Sequence, residues 1–409
     1  MHAEVPRSRK IALLSASSLT VMAGAIVAPG MPLAAQVFEA QHPGEGELLA
    51  KLVLSLPALA IALFAPISGI FVDRFGSRTL LLSGLVLYAV AGTTGIYLED
   101  AYWVLAGRLG LGMAVAMVMT TATTLISQYF HGAERGKFLG IQATFMALGG
   151  VVFLPLGGVL TQLGGHHLPY IVYVASLPIF VLAWRYLPEP PRRDDPNLPP
   201  MPATGDYPAL VHRPTILLIY GVAFVGMAAF YLSPPQLPFL MKAKFEQGPL
   251  IASLAVATIT LFAAASSMQY GRLMRRYTTT HLIAGFFLCL GLGFSIIGTA
   301  ERVELAWLGL PLAGLGGGLY TPTLSNWLMR IAPPARRGRL AGGMISAMFT
   351  GQFLSPILAQ PLIAAGGVSG AFKWVGLGLI ALGIAYFVSI RSNRRRRRVT
   401  LPRGGVLVH

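Results

Sequence analysis

The chain has 409 residues, of which 55% are hydrophobic and only 11% are charged, and its formal net charge at pH 7 is +16. A soluble globular domain carries about 25% charged residues, so this composition excludes that class and predicts a polytopic membrane protein. The net positive charge is also typical of nucleic-acid-binding proteins, but here the basic residues fall in loops between apolar runs. We therefore expect no nucleic-acid partner.

Twelve apolar runs are each long enough to cross a bilayer, which takes roughly 20 residues of helix. The first run follows three basic residues, as in a signal peptide, but it extends to about Leu33, so we expect it to remain as the first helix. The sequence thus predicts an all-α membrane protein. The predicted helices cover residues 11–34, 48–72, 79–97, 102–129, 137–163, 168–187, 214–237, 248–270, 279–299, 305–329, 340–364 and 371–390.

The basic residues lie almost entirely on one side of the predicted membrane. Lys and Arg accumulate in short cytoplasmic loops, so the richer side, which carries both termini, is predicted to be cytoplasmic. We therefore expect an integral protein of a bacterial-type inner membrane. The opposite side holds five of the 31 basic residues, namely Lys51, Lys242, Lys244, Arg302 and Lys373.

A polar, proline-rich segment separates six predicted helices from six, and we expect an irregular linker there. An offset of 202 residues aligns the two halves, most specifically Arg135-Gly136 with Arg337-Gly338. The sequence therefore predicts two pseudo-symmetric six-helix bundles. The predicted domains are the bundle 1–187, the cytoplasmic linker 188–213, the bundle 214–390 and a basic tail, 391–409.

A short charged loop joins the second and third predicted helices. The stretch Gly69-Ile-Phe-Val-Asp-Arg-Phe-Gly-Ser-Arg78 reads G-x-x-x-D-R-x-G-x-R, and its copy at Gly271 to Arg276 has lost the aspartate and the second glycine. Between helices 2 and 3 of a twelve-helix chain, this motif resembles the loop signature of the major facilitator superfamily. The resemblance implies that family's fold and a secondary active transporter.

Three further stretches are similar to motifs of the same family. Leu105 to Gly112, which contains Arg108, is similar to the helix-4 motif. Gly150 to Gly158 resembles the glycine and proline signature of drug and metabolite antiporters, although a leucine replaces the glycine before the proline. Gly351 to Pro356 resembles the sugar- and drug-efflux members. The resemblance therefore implies the proton-antiporter branch.

The resemblance also implies a conformational role for the loop. In the family, the loop aspartate engages the start of helix 11 and nearby basic residues while the cytoplasmic side is closed. A carboxylate at a helix N-terminus is stabilised by about 0.3–1 kcal/mol, so we expect Asp73 to act as a latch. The alternative is that the loop only carries topological positive charge. The residues predicted to take part are Gly69, Asp73, Arg74, Gly76 and Arg78 in the loop, and Arg135, Gly136, Arg337 and Gly338 in the turns after helices 4 and 10.

Arg108 lies about six residues inside predicted helix 4, where a charge is costly unless it faces a cavity or a partner. We expect it to serve in proton coupling or anion binding; alternatively, it extends to the membrane surface. Its repeat equivalent is Leu310, so the architecture does not require this charge.

All fifteen acidic residues fall in loops or near the ends of predicted helices. A buried carboxylate is the usual proton carrier and the usual partner of a cationic substrate. The sequence therefore favours a neutral or anionic substrate. Proton antiport would have to use Arg108, Asp73 or the substrate itself.

The family resemblance places a substrate cavity among helices 1, 4, 7 and 10, with contributions from helices 2, 5, 8 and 11. Methionine and aromatic side chains repack around varied apolar ligands, and hydroxyl and amide groups orient them. Each candidate could instead simply pack helix against helix. The candidates are Met22, Met117, Thr120, Gln142, Met146, Met227, Tyr231, Tyr320, Met348 and Gln352.

The sequence contains no nucleotide-binding loop and no metal-spaced His or Cys cluster, so we expect neither an enzyme nor a cofactor. The favoured function is efflux of small amphipathic drugs or metabolites by proton antiport. The alternatives are a facilitator or an anion or metabolite exchanger and, in another class, a membrane sensor or scaffold. We expect a monomer whose partners are a small-molecule substrate, protons in the antiport case and membrane lipids.

Overall fold

The computed structural model describes residues 5–130, 132–189, 213–333 and 336–399. The side chains of Asp73, Gly132, Ala133, Gly136, Arg213 and residues 389–399 are not among those described. Most of the predicted linker and the predicted basic tail therefore lie outside the described side chains.

The described residues form helices and no strands. In chain order the helices are α1 (Arg7–Ala25), α2 (Met31–Gln41), α3 (Gly46–Phe75), α4 (Ser77–Gly92), α5 (Thr94–Tyr97), α6 (Ala101–Tyr129), α7 (Gly132–Gly164), α8 (Ser176–Tyr186), α9 (Arg213–Phe230), α10 (Ser233–Phe245), α11 (Pro249–Arg276), α12 (Thr279–Thr299), α13 (Val303–Ile331) and α14 (Arg337–Val399). Short 3₁₀ helices cover Ala28–Gly30 and Leu168–Ala175.

Ten stretches of the described chain are long and apolar enough to cross a membrane. One of them, Arg337–Val388, contains two helices that meet at Gly366 and Gly367, where Gly367 has a φ of +66° that favours glycine. Helix α13 adds a further 29-residue helix. The described residues thus confirm the twelve-helix, all-α prediction.

The first and seventh predicted helices are broken, which the sequence prediction missed. α1 ends at Ala25 and α2 begins at Met31, while α9 ends at Phe230 and α10 begins at Ser233. Prolines cluster at both breaks, and a proline lacks the N–H that continues a helix. Met31 and Ser233 are 202 residues apart, so both halves restart the helix at the same repeat position.

The internal repeat also extends to close backbone contacts. A Cβ atom at Gly112 would overlap Pro57, and one at Gly314 would overlap Ile259. Gly112 and Gly314 are 202 residues apart, and so are their partners, Pro57 and Ile259. Because only glycine lets these backbones approach so closely, α6 packs on α3 as α13 packs on α11.

The helix ends define two faces of the molecule. The terminal face carries the start of α1, the turn between α3 and α4, and the starts of α7 and α14; the opposite face carries the turns at 42–45, 98–100, 246–248 and 300–302. The identified contacts between the two halves run from mid-helix to the opposite face. They include Tyr231 with Leu54 and Gly24, Lys242 with Pro32, Lys51 with Phe239, Gly158 with Ser253, and Gly150 with Thr260, and α3 also packs against α14.

The terminal face is open between the halves. A Cβ atom at Gly69, Gly140, Gly271, Gly338 or Gly342 would meet no atom within 4 Å. These glycines lie in the parts of α3, α7, α11 and α14 nearest the terminal face. Because the hydrogen bonds and the ring contact identified between the halves all lie from mid-helix to the opposite face, we interpret the conformation as closed at the opposite face and open toward the terminal face.

Candidate transport site

The motif loop consists of a single glycine between two helices. α3 ends at Phe75 and α4 begins at Ser77, and Gly76 between them has a φ of +91°. Side chains rarely adopt this φ, so the turn requires glycine. Gly69 has open space beside it, and Arg74 lies over the Phe75 ring at 5.4 Å. The backbone of Asp73 is helical, but its side chain is not among those described.

The carboxylate of Glu189 occupies the start of α4. The backbone N–H of Arg78 donates to Glu189 Oε2 at 3.0 Å, and a Cβ atom at Gly76 would overlap this carboxylate. Arg78 Nη2 also donates to the Trp184 carbonyl at 2.5 Å. A carboxylate at a helix N-terminus satisfies free N–H groups and complements the helix dipole. The end of the first bundle is therefore fastened to the motif loop.

Among the described side chains, no contact joins the four predicted turn residues to the motif loop. Arg337 Nε donates to the Ala332 carbonyl at 3.2 Å, so this side chain bonds the end of α13. Arg135 is exposed, the Gly136 position lies outside the described side chains, and Gly338 is uncovered.

Arg108 is enclosed by tyrosines inside the first bundle. Its side chain is 0% exposed, Nη1 donates to the Tyr173 hydroxyl at 2.8 Å, and the guanidinium lies 4.6 Å from the Tyr170 ring centre. Its Nε and Nη2 atoms have no hydrogen-bond partner among the described residues. The charge is therefore held by one hydroxyl and by cation–π contacts, and it does not extend to the membrane surface.

The Arg108 cluster is attached to the backbone of α1. Tyr173 donates its hydroxyl proton to the Ala23 carbonyl at 2.7 Å, and Tyr88 donates to the Leu19 carbonyl at 2.7 Å. These carbonyls are one helical turn apart, just before the break after Ala25. Arg108 thus supports the helix end nearest the first break.

The ten predicted cavity residues divide into two groups by exposure. Buried ones serve at least partly as packing, whereas half-buried ones retain surface for a ligand. Met22, Tyr320 and Met348 are buried, and Met117, Thr120, Gln142, Met146, Met227, Tyr231 and Gln352 are half-buried.

Three of these residues make side-chain hydrogen bonds. Gln142 donates to the Ser17 hydroxyl at 2.8 Å, and Tyr320 donates to the Ala223 carbonyl. Tyr231 donates to the Leu54 carbonyl at 3.0 Å. Tyr231 therefore joins the two halves directly.

A cavity of about 340 Å³ lies between the halves at the opposite face, apart from these ten residues. Four prolines and Leu33 form much of its apolar wall, and Lys242 and Glu246 provide charge. Because it is built from α2, α10, α11 and the first break, its shape depends on the two halves being closed here.

The sequence analysis missed Glu189, Tyr88, Tyr170, Tyr173 and Lys51. The hydrogen bonds of Tyr88, Tyr173 and Glu189 join residues 65 to 150 positions apart, which periodicity does not reveal. Lys51 did carry a signal, since it lies in a predicted helix four residues after Glu47, a favourable ion-pair spacing.

Replacing Gly76 with Ala should destabilise the protein by about 1–3 kcal/mol, because the new side chain is strained at positive φ and displaces Glu189. The measurement is the thermal unfolding temperature in detergent. Gly69→Ala is the matched control, since its Cβ meets open space. A Gly76→Ala protein as stable as this control would contradict the assignment.

Removing the Tyr173 hydroxyl should cost more stability than removing the Tyr88 hydroxyl. Both bond the α1 backbone, but Tyr173 also accepts from a charged donor, and hydrogen bonds to charged groups are worth about 1.5–3 kcal/mol against about 0.5–1.5 for neutral ones. Tyr173→Phe and Tyr88→Phe are compared by thermal unfolding. Equal losses would show that Arg108 does not depend on Tyr173.

Comparison with known proteins identifies the family. A family model described as Major Facilitator Superfamily matches residues 13–307 and 219–406. The chain is 25% identical to the class C tetracycline resistance protein of Escherichia coli, over 84% of this chain and 86% of that protein. It is 24% identical to a multi-drug resistance efflux pump PmrA homolog of Lactococcus lactis, over 91% and 93%.

A solved structure shares the fold. It is a bacterial homolog of the human lysosomal transporter Spinster in an inward-facing and occupied conformation, and it matches with a TM-score of 0.74 at 17% identity, covering 95% of this chain and 98% of that one. The chain belongs to the Major Facilitator Superfamily and is a membrane transporter, not an enzyme.

Proposed function

We propose that this transporter exports small amphipathic organic molecules in exchange for protons, with both termini in the cytoplasm of a bacterial-type inner membrane. The observation that carries the proposal is the conformation, which is closed at the opposite face and open toward the terminal face. A tetracycline resistance protein and a multi-drug efflux pump, each similar over most of the chain, support the choice of substrate class.

In this proposal the bundles 1–187 and 214–390 rock about the substrate. Closing the terminal face would bring Asp73 to the start of α14 near Gly338, which is uncovered in the present conformation. Such a contact would stabilise the state open to the opposite face. The linker 188–213 would join the bundles, and the basic tail would lie against anionic lipid headgroups.

The substrate would sit among the half-buried candidates. Met117, Met146 and Met227 would provide adaptable apolar surface, and Gln142 and Tyr231 would orient polar groups. We expect the transporter to act as a monomer without a cofactor.

Proton coupling would run through Arg108 and its tyrosines, through Asp73 or through the substrate. Among the described residues, the fully buried charged side chains are Lys51 and Arg108, both cations. A buried cation without a buried acid also favours a second candidate function, exchange or facilitated diffusion of anions.

Purified protein in vesicles would separate these functions, with tetracycline as the first probe. Antiport predicts that a pH gradient drives tetracycline accumulation and that a protonophore abolishes it. Accumulation independent of the gradient, or counterflow alone, would instead support an exchanger. No flux of tetracycline or of a panel of neutral and anionic amphipathic compounds would contradict the proposed substrate class.

The same assay tests the latch. Asp73→Asn should slow flux about fivefold, since a charge at a helix terminus contributes about 1 kcal/mol, while the amount of protein in the membrane stays unchanged. Glu301→Gln, an exposed acid at the opposite face, is the control. Equal flux in the two variants would exclude the latch.

A further inference from the structure

Lys51 is a buried cation at the opposite face, and none of the roles described above uses it. It lies in the second turn of α3, and its side chain is 0% exposed. Its ammonium pairs with Glu47, one turn earlier, whose carboxylate side chain is 48% exposed. An ionisable residue within a membrane-spanning helix indicates a functional site, so this one calls for an explanation.

The ammonium of Lys51 also contacts the other half of the protein. Its Nζ lies 4.8 Å from the ring centre of Phe239 in α10, which is cation–π distance. Deeper in the membrane, the Tyr231 hydroxyl, just before α10, donates to the carbonyl of Leu54 in α3. The two halves therefore touch at two levels along α3. We call the region between these two contacts the α3–α10 seam.

Several polar atoms of α3 and α10 lack partners in the closed conformation. Ser55 Oγ, Ser233 Oγ and both amide atoms of Gln236 are buried and have no hydrogen-bond partner among the described residues. Ser55 lies one turn after Lys51 in α3, and Gln236 lies one turn before Phe239 in α10. Buried polar atoms without partners destabilise a structure. Water entering an opened seam would satisfy them, so a specific contact is needed to hold it closed.

We propose that the Lys51–Phe239 contact is the gate of the opposite face: it stabilises the closed conformation and breaks each time that face opens. The inference rests on the proposed alternating opening of the two faces. Glu47 is on the same helix as Lys51, so opening the face need not break their ion pair; of the two contacts of the Lys51 ammonium, only the one with the Phe239 ring crosses between the halves.

This arrangement suits a contact that must open repeatedly. Separating a buried ion pair leaves two unpaired charges and is strongly unfavourable. Here, opening only moves an already paired ammonium from an aromatic face into water. The gate is thus strong enough to bias the conformation and weak enough to release it.

The internal repeat shows that packing does not require the charge. The equivalent of Lys51 in the second half is Ser253, 202 residues later, and Ser253 lies against Gly158 of α7. Helix α3 packs against α14 as α11 packs against α7, and Lys51 lies in α3 where its counterpart in α11 is a small residue. This asymmetry indicates a role for Lys51 beyond filling space.

The test measures how often the seam opens. In a Cys289→Ala background, Ser233→Cys places a thiol at a position that is 1% exposed in the closed conformation. A membrane-impermeant maleimide added to proteoliposomes labels it when the opposite face opens. Glu301→Cys is exposed at that face, so its labelling measures the fraction of molecules whose opposite face is on the outside of the vesicles.

We expect Phe239→Leu and Lys51→Met each to raise the labelling rate by about three- to tenfold, the range of a moderate cation–π contact. Phe239→Trp and Lys51→Arg, which keep the contact, should label at nearly the parent rate. Phe245→Leu is the matched control, because Lys244 lies 5.7 Å from this ring on the same helix without joining the halves. Size-exclusion chromatography confirms that each variant is folded.

A labelling rate in Phe239→Leu equal to that of the Phe245→Leu control would overturn the gate, as would an effect of Lys51→Met without one of Phe239→Leu. If Ser233→Cys labels in no variant while Glu301→Cys labels fully, the opposite face never opens. That result would overturn the proposed function itself, together with the gate.

Discussion

The conformation depends on the contacts that hold the two halves together at the opposite face. Lipid tails are as apolar as the helix surfaces, so there is little hydrophobic force to press one bundle on the other, and close packing and polar contacts must decide their angle. Those contacts are the packing of α3 against α10 and α14 on one side, and the packing of α7, through its glycines, against α11 on the other. Because they occupy one face, the other face is left open. Contacts confined to one face are what a protein needs if it is to close its two faces in turn.

Within the first bundle, a different set of contacts keeps the helices in place while the halves move. Tyr88 and Tyr173 donate hydrogen bonds to consecutive turns of α1, and Arg108 donates a hydrogen bond to the Tyr173 hydroxyl. Glu189 and Arg78 fasten the end of α8 to the start of α4. The broken end of α1 is therefore supported by a rigid aromatic cluster.

Much of the fold could be predicted from the sequence because a bilayer imposes a simple rule, an apolar run of sufficient length for each crossing. The glycine and Arg-Gly pairs that are 202 residues apart also predicted the internal repeat. Gly112 and Gly314 show why such glycines recur, since each allows a neighbouring helix to approach closely. The helix breaks were missed although Pro29, Pro32 and Pro234 signal them, since prolines are common within membrane helices. The site was less predictable. The burial of Lys51 depends on α10, and the Arg108 cluster depends on tyrosines far away in sequence.

The central claim is that the two faces open in alternation about the contacts at the opposite face. It is tested most directly by measuring spin-label distances in lipid, in the Cys289→Ala background, across each face in separate samples. Lys137→Cys with Arg276→Cys spans the terminal face, and Pro43→Cys with Ala243→Cys spans the opposite one. When a pH gradient and substrate are applied, the account predicts that the terminal distance shortens while the opposite distance lengthens. Two distances that stay fixed, or that change in the same direction, would contradict it.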